Sequence, residues 1–269
     1  MLTLWLQMRL IKRISMMLVI SLWLAPNVQA NDTTDWMVLV SPFVWGASLN
    51  GDLGIAGQQA AVEAPFSTLF KDIDSVFMGN IELTNRQFGL YVDATYVHSS
   101  RQDKALAQPL QVSLRQKLFT VGGFYRLYSH TLAGDTAFGE PRRFAIEPIL
   151  GLRRTQIKAG LTAPTLGVDL NKKAQWTDPF IGARMSLDLD RHWNLSGLVD
   201  VGGWDTQSKK THSAELYLGY RTLVAEYPVL VRAGYRSLTQ RYQTEDFTGQ
   251  PFTYHMRQAG PVLGVTLRL

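Results

Sequence analysis

Apolar and polar side chains alternate in many separate segments between about residue 36 and the end of the chain. In the segment 87–98, for example, Phe88, Leu90 and Val92 fall on one face of an extended chain, and Gln87 and Asp93 fall on the other. A period of two is typical of β-strands, whereas an amphipathic helix has a period of 3.6. The pattern therefore predicts an all-β fold.

The alternation predicts ten strands, each long enough for a tilted membrane strand of about 9–11 residues. They are residues 36–47, 76–85, 87–98, 111–127, 143–156, 175–188, 192–204, 212–222, 229–241 and 253–269. Short links such as 85–86 and 190–191 alternate with long links such as 48–75 and 157–174. Short inner turns and long outer loops are typical of transmembrane barrels, although the link 129–142 is long for an inner turn. Eight or twelve strands would also fit, because strand boundaries are the least certain part of such a prediction.

The last nine residues, Pro261–Leu269, form an alternating strand that runs into the chain end, with Leu263, Val265 and Leu267 on one face. In a soluble domain such a strand would leave an apolar edge exposed. In a transmembrane barrel it pairs with the first strand and its apolar face meets lipid. We therefore predict a closed antiparallel transmembrane β-barrel over residues 31–269. The alternative is a soluble periplasmic β-sandwich or a lipocalin-like barrel.

The first 30 residues have the pattern of a secretory signal peptide. Arg9, Lys12 and Arg13 precede an uncharged run from Ile14 to Ala25, and Ala30 ends a small-residue cleavage site. The predicted mature chain starts at Asn31 and keeps 24 Lys and Arg against 22 Asp and Glu, a net charge of +2. This balance argues against nucleic-acid binding, which needs a concentrated basic surface. We expect the cell outer membrane as the location, with outer-membrane lipid, lipopolysaccharide and, during insertion, the barrel-assembly machinery as partners of a monomer.

The faces opposite the apolar ones carry charges of both signs, as a narrow lumen requires, since charges removed from water need partners. The residues placed in the lumen are Glu82, Asp93, Arg115, Lys117, Glu147, Arg153, Arg184, Asp188, Asp200, Glu215, Arg221, Arg232, Arg236 and Arg268. They could form a salt-bridged plug or the wall of a narrow, anion-preferring pore. Side chains nearly fill a barrel of this size, which favours the plug.

Five tryptophans are placed near the predicted strand ends, where aromatic girdles meet the membrane interfaces. They are Trp36, Trp45, Trp176, Trp193 and Trp204. From Trp193 to Trp204 a tilted strand would rise about 28 Å, close to the height of the apolar band. Strict alternation, however, puts these two rings on opposite faces unless a bulge intervenes.

The segment 66–74 lacks alternation and predicts a short helical turn in the longest outer loop, capped by Ser67. It could fold into the barrel mouth or form an ordinary surface turn.

Few residues suggest catalysis or metal binding. The chain has no cysteine, and its five histidines lack metal-ligand spacing, so we predict no metal and no cofactor. His98 is followed by Ser99 and Ser100 near the outer rim, where outer-membrane lipid hydrolases place a His–Ser pair. The sequence identifies no acidic residue to orient this histidine and no nucleophile-elbow context. We therefore predict that the protein is not an enzyme.

Several short motifs resemble a widespread, poorly characterised family of Gram-negative outer-membrane β-barrel proteins, loosely called porin-like. The motifs are Trp45 with Leu49-Asn-Gly-Asp52, Phe66-Ser-x-Leu69, Phe77-Met-Gly79, Phe88-Gly-Leu90, Trp176-x-Asp-Pro-x-x-Gly-Ala-Arg184, Gly202-Gly203, Gly219-Tyr-Arg221, Gly234-Tyr-Arg-x-Leu238, Tyr242 and Gly260-Pro-x-x-Gly264. The resemblance implies a single closed barrel in the outer membrane and supplies no catalytic motif. The chain differs from the family pattern in ending on Leu269, where an aromatic residue is usual.

Together, these observations predict a narrow porin-like channel for small polar solutes or a structural protein of the envelope. The alternative is an adhesin- or receptor-like barrel that acts through its outer loops. A lipid hydrolase at the outer rim is the weakest of the hypotheses.

Overall fold

The computed structural model describes residues 36–55, 58–105, 108–163, 168–204, 208–245 and 251–269. The predicted signal peptide of residues 1–30 and the predicted start at Asn31 lie outside these ranges. Among the described residues, no helix is long and apolar enough to cross a bilayer.

Strands make up nearly all of the described chain. They are β1 (Met37–Trp45), β2 (Ser48–Ile55), β3 (Gln58–Ala64), β4 (Ile73–Thr84), β5 (Phe88–Ala105), β6 (Gln108–Tyr125), β7 (Tyr128–Asp135), β8 (Pro141–Ala163), β9 (Val168–Asp188), β10 (Trp193–Gly202), β11 (Ser208–Val224), β12 (Tyr227–Glu245) and β13 (Pro251–Arg268). One α-helical turn, α1 (Phe66–Leu69), runs into a 3-10 turn, Phe70–Asp72.

Ten of these strands form a closed antiparallel ring in the order β1-β4-β5-β6-β8-β9-β10-β11-β12-β13, and β13 pairs with β1 to complete it. At this junction Leu39 lies opposite Arg268 and Val44 opposite Leu263. The hydroxyl groups of Ser41 and Thr266 lie 2.9 Å apart and join the two strands from inside. Closure leaves no unpaired edge in the membrane, where an unpaired backbone group would cost several kcal/mol. The predicted ten-stranded barrel is confirmed.

Two hairpin elements were not predicted. Strands β2 and β3 lie in the predicted long loop 48–75, where β2 pairs with the outer part of β13 and β3 pairs with β2. Strand β7 pairs with the inner end of β8. The long inner link 129–142 is therefore a hairpin and not an irregular turn.

The helical turn predicted in segment 66–74 is confirmed as α1, but the predicted cap by Ser67 is wrong. Pro65 occupies the N-cap position and no side chain caps the turn, because the helix begins one residue before Ser67. The ring of Phe66 packs against Gly46, and its backbone N–H donates to Ser48 Oγ at 3.1 Å. These contacts hold α1 at the β1–β2 junction, and Phe70 is exposed.

The outer wall of the ring is apolar. Leu90, Leu150 and Leu263 have 60%, 65% and 65% of their surface exposed, and each alternates with a residue that points inward. Contiguous exposed apolar surface of this extent is rare on a soluble monomer and is the usual lipid-facing surface of a membrane barrel. The soluble alternatives do not account for it.

Two glycines allow large rings to lie flat against the inner wall. Gly122 and Gly151 face each other on β6 and β8, with Tyr91 opposite the first and Phe180 opposite the second on the flanking strands. A Cβ atom on Gly151 would lie 2.3 Å from the carbonyl oxygen of Val121 and 2.7 Å from the ring of Phe180. Larger residues are therefore excluded here by the backbone as well as by the ring.

We expect Gly151→Ala to lower the free energy of unfolding by about 1–3 kcal/mol, because the added methyl group overpacks the inner wall. The matched control is Gly123→Ala, whose methyl group would point outward, 3.3 Å from a flexible Leu90 side chain, and should change stability by less than about 0.5 kcal/mol. Urea unfolding of the barrel in lipid vesicles measures both. Equal effects at the two positions would contradict the packing argument.

Candidate functional site: the charged interior of the barrel

The barrel interior is crossed at mid-height by Arg236 of β12. Its guanidinium lies 3.1 Å from Asp93 Oδ1 on β5 and 3.1 Å from Glu215 Oε1 on the neighbouring strand β11. The Tyr217 hydroxyl donates to Glu215 Oε2 at 3.0 Å. Arg236 is buried and its guanidinium also lies 4.9 Å from the ring centre of Trp45. One arginine therefore holds two carboxylates on different sides of the lumen.

A second group of charges lies towards the inner end of the barrel. Arg184 of β9 donates to Glu147 at 2.6 Å and to Glu82 of β4 at 2.7 Å. Arg126 donates to the other oxygen of Glu147 at 2.7 and 2.9 Å, so this buried carboxylate is held from two sides. The guanidinium of Arg184 stacks 3.9 Å from the ring centre of Phe124.

Two more contacts join buried side chains inside the barrel. Arg153 makes a bidentate pair with Asp200, with N–O distances of 2.7 and 3.0 Å. Such fork-to-fork pairs are the strongest and most directional of the charge-assisted hydrogen bonds. Nearer the outer end, Gln240 of β12 donates to Thr155 Oγ1 of β8 at 2.8 Å.

Three of these contacts span the barrel. They are Arg236–Asp93, Arg184–Glu82 and Gln240–Thr155, and each joins strands separated by at least three others in either direction around the ring. The walls are therefore linked at three heights.

The inner mouth is covered by residues 136–140, the turn between β7 and β8. Glu140 forms ion pairs with Arg86 at the β4–β5 turn and with Arg268 near the end of β13. The N–H of Ala137 donates to the carbonyl oxygen of Arg191 at 2.7 Å, and the ring of Phe138 lies 6.0 Å from the guanidinium of Arg221. One turn thus reaches four other parts of the inner rim.

An aromatic cluster fills the outer end of the interior. Trp176 stacks on Tyr242 with ring centres 4.5 Å apart and packs against Tyr254 and Met256. Its indole N–H donates to Asp178 Oδ2 at 3.1 Å, and the hydroxyl of Thr211 donates to the same oxygen at 2.7 Å. This is a packed core and not an open vestibule.

Between the cross-lumen pairs lies a polar cavity of about 120 Å³, lined by Asn80, Tyr91, Ser196 and Arg232 together with the ion pairs. Sites for drug-sized ligands usually measure about 300–1,000 Å³, so this space fits several water molecules. Among the described residues, no group of three or more His, Asp or Glu side chains could hold a metal ion.

Most of the residues predicted to line the lumen point into it. Ten form buried or partly buried ion pairs inside the barrel: Glu82, Asp93, Glu147, Arg153, Arg184, Asp188, Asp200, Glu215, Arg221 and Arg236. Arg268 reaches Glu140 at the inner mouth. Arg232 lies over the ring of Tyr217 at 5.4 Å and makes no ion pair with a described residue.

Two of the predicted lumen residues lie on the outer wall, so the prediction is wrong for Arg115 and Lys117. In β6 the buried, inward positions are Leu118, Thr120 and Phe124, and the alternation puts the two cations on the opposite face. Leu118 packs against Trp45 inside the barrel. Because this part of the interior is apolar, polarity alone assigns the two faces of β6 the wrong way round.

The charged residues of the interior that the sequence analysis missed include Arg86, Arg126, Glu140 and Asp178. Arg86, Arg126 and Glu140 lie in or beside turns, where strand alternation gives no signal. Asp178 could have been found from the sequence, because it has the same parity on β9 as Arg184. In the structure its side chain is fully buried.

The girdle prediction is wrong for two of its five tryptophans. Trp45 and Trp176 are 3% and 1% exposed and lie inside the barrel, because both share parity with the inward residues of their strands. Trp36, Trp193 and Trp204 are exposed. Gly203 has a φ of +91°, so the extended chain breaks before Trp204 and the alternation of β10 does not fix the direction of its side chain.

His98 has an acidic neighbour that the sequence did not identify. Its Nδ1 lies 3.8 Å from Asp74 Oδ2, on the adjacent strand β4. The hydroxyl of Ser99 is directed at the carbonyl oxygen of Leu114 at 3.5 Å, and no described contact joins His98 to either serine. The arrangement lacks the hydrogen bond from base to nucleophile on which serine hydrolases depend.

A closed ring of antiparallel strands with an apolar outer wall and a charged, paired interior defines a transmembrane β-barrel. This agrees with the fold implied by the resemblance to outer-membrane barrel proteins. No family model and no curated protein matches the chain.

Solved structures with a similar fold include Ail, the attachment invasion locus protein of Yersinia pestis, in complex with the heparin analogue sucrose octasulfate. It is 8% identical, the match covers 87% of this chain and 98% of that one, and the TM-score is 0.34. The translocator domain of the autotransporter NalP from Neisseria meningitidis is 12% identical over 98% of this chain and 95% of that one, with a TM-score of 0.32. A Pseudomonas aeruginosa FadL homologue is 9% identical over 87% and 89%, with a TM-score of 0.28.

Proposed function

We propose that this chain is a monomeric integral protein of the cell outer membrane whose barrel is closed to solutes and serves as a structural component of the envelope. Outer-membrane lipid and lipopolysaccharide surround it, and the barrel-assembly machinery inserts it. It uses no cofactor, binds no nucleic acid and catalyses no reaction.

The observation that carries this proposal is the set of three contacts across the lumen, Arg236–Asp93, Arg184–Glu82 and Gln240–Thr155. A solute passing through would have to separate buried charges that are already paired. Leaving one member of such a pair unpaired costs about 3–5 kcal/mol. The turn 136–140 adds a second barrier at the inner mouth.

A second role, surface interaction, is favoured by the length of the outer strands. Strands β5, β6, β8 and β9 have 18, 18, 23 and 21 residues, against about 9–11 needed to cross the apolar layer. About half of each strand therefore extends beyond the membrane, beside the β2–β3 hairpin. The sealed barrel would then act as a rigid base that presents these extensions to a partner at the cell surface.

Single-channel recording of the refolded mature chain in a planar bilayer tests the closed lumen, once a heat-modifiable gel shift has confirmed folding. We expect no discrete conductance steps. A variant with Glu82, Asp93, Arg184 and Arg236 all changed to Ser removes two of the three bridges and should conduct, which shows that the assay detects an opened lumen. Reproducible steps from the unchanged chain would overturn the proposal and support the narrow, porin-like channel.

Removing the β2–β3 hairpin tests the surface role. A folded, silent barrel that no longer attaches to cells or matrix, although the unchanged chain does, would place the interaction in the outer extension. Unchanged attachment would exclude the hairpin as the contact.

A further inference from the structure

Five cations lie together on the outer wall, just above the apolar band. They are Arg115 and Lys117 on β6, Arg154 and Lys158 on β8, and Lys173 on β9, and we call them the basic patch. Four of the five side chains are exposed, and Arg115 is partly exposed. The inward neighbours Leu118, Arg153 and Trp176 are buried, which fixes the outward direction of the patch.

The strand register arranges the patch in three rows across β5, β6, β8 and β9. In the uppermost row, Arg115 lies opposite Lys158, and Lys158 lies opposite Lys173. In the middle row, Lys117 lies opposite Gln156. In the lowest row, Phe119 lies opposite Arg154. The β5 members of these rows are His98, Tyr96 and Ala94. The rows contain no carboxylate. An acidic group lies at the edge on β4, where Asp74 faces His98.

Among the described side chains, the patch has no counter-ion. None of its five cations forms an ion pair with a described residue, and Arg115 Nε has no hydrogen-bond partner in the described part of the chain. Like charges directly opposite each other on neighbouring strands destabilise a sheet. The row Arg115–Lys158–Lys173 places three of them side by side, so an external anion would relieve the repulsion.

The surroundings of the patch indicate which anion. Below it on the same strands the wall is apolar, with Val121, Leu150 and Ile181 exposed. Lys117 Nζ lies 5.6 Å from the ring centre of Tyr96, an aromatic residue at the boundary between the apolar and basic rows. A ligand that fits both surfaces has acyl chains below and negative charge about 5–10 Å above, since two residues of a tilted strand rise about 5 Å.

We propose that the basic patch binds a phosphorylated glycolipid of the outer leaflet, with its phosphate groups on Arg115, Lys117 and Lys158 and its acyl chains along the apolar wall below. This inference rests on the outer-membrane location proposed above. It assigns a specific lipid site to one side of the barrel. A free polyanion could supply the same phosphate chemistry but would not use the apolar wall.

Native mass spectrometry of the refolded mature chain in detergent tests the site with three probes: diphosphoryl lipid A, its dephosphorylated form and inorganic phosphate. We expect at least tenfold tighter binding of the diphosphoryl form than of the other two. The triple variant Arg115→Gln, Lys117→Gln, Lys158→Gln should lose about a hundredfold in affinity, because each cation near an anionic surface contributes about fivefold. The control triple Lys210→Gln, Arg241→Gln, Arg257→Gln removes the same charge from the opposite wall and should lose less than about threefold.

Each outcome of these binding measurements tests a different part of the proposal. Equal binding of phosphorylated and dephosphorylated lipid, or equal losses in the two triple variants, overturns the site. Inorganic phosphate that binds as tightly as the lipid overturns the lipid as the ligand. Ion conduction in a bilayer would refute the closed lumen but would leave the lipid-binding results unchanged. A chain that folds only in water without detergent would refute the membrane location. The heat-modifiable shift confirms that each variant is folded.

Discussion

Replacing Arg236 by Ala is expected to lower the free energy of unfolding by about 3–5 kcal/mol, among the largest effects of any single substitution in this barrel. The reason is the pair of carboxylates that depends on it. Asp93 and Glu215 both contact its guanidinium, and both side chains are mostly buried. Without the arginine they would be two unpaired like charges inside the barrel, and would repel each other.

The matched control is Arg232→Ala, four residues earlier on the same strand and inside the same cavity. Arg232 makes no ion pair with a described residue and lies over the ring of Tyr217, so its loss should cost about 1 kcal/mol or less. Urea unfolding in lipid vesicles, followed by tryptophan fluorescence, measures both variants. If the two cost the same, Arg236 does not organise the lumen.

Replacing Trp176 by Ala should also cost about 3–5 kcal/mol, the range found when a buried large aromatic side chain is deleted. Trp176 is 1% exposed, stacks on Tyr242 and supports Tyr254. Its loss leaves a cavity, because the surrounding strands hold the neighbouring side chains in place and keep them from filling the space. It also removes the hydrogen bond to Asp178.

Trp204→Ala is the control, because the same interfacial role was predicted for Trp204 and its side chain is half exposed. We expect a change of about 1 kcal/mol or less for this exposed ring. Acrylamide quenching of fluorescence gives an independent measurement, since Trp176 should be protected and Trp204 should not. Similar stability losses and similar quenching would restore the interfacial position first predicted for Trp176.

The strand count and the barrel closure could be predicted because they depend on a period of two repeated over many segments, and such a signal survives errors at any one position. The sides of the sheet were predictable only where the interior is polar. On β12, Arg232 and Arg236 alternate with Val231 and Tyr235, and the assignment to the lumen follows directly. On β6 the inward residues are Leu118 and Phe124, so the rule of apolar outside and polar inside gives the opposite of the structure.

The inner mouth could not be predicted because its contacts are made by turns. Glu140 meets Arg86 and Arg268, which are separated from it by 54 and 128 positions along the chain, and nothing local to these residues indicates the meeting. The same holds for the contacts across the lumen, where Arg184 and Glu82 are 102 positions apart. Alternation indicates which side of a sheet a residue faces. It does not indicate which residue on the far wall it will reach.

The pairing of β1 with β13 has a consequence for the time course of biogenesis. Ser41 and Thr266, which join these strands, are 225 positions apart, so the first strand is finished long before its partner exists. At about 5–20 residues per second, synthesis of the intervening chain takes roughly 10–45 s. Throughout that interval the first strand has an unpaired apolar edge, and pairings between distant segments are slow to form. We therefore expect the newly made chain to aggregate unless a chaperone shields it until β13 is available to pair with β1.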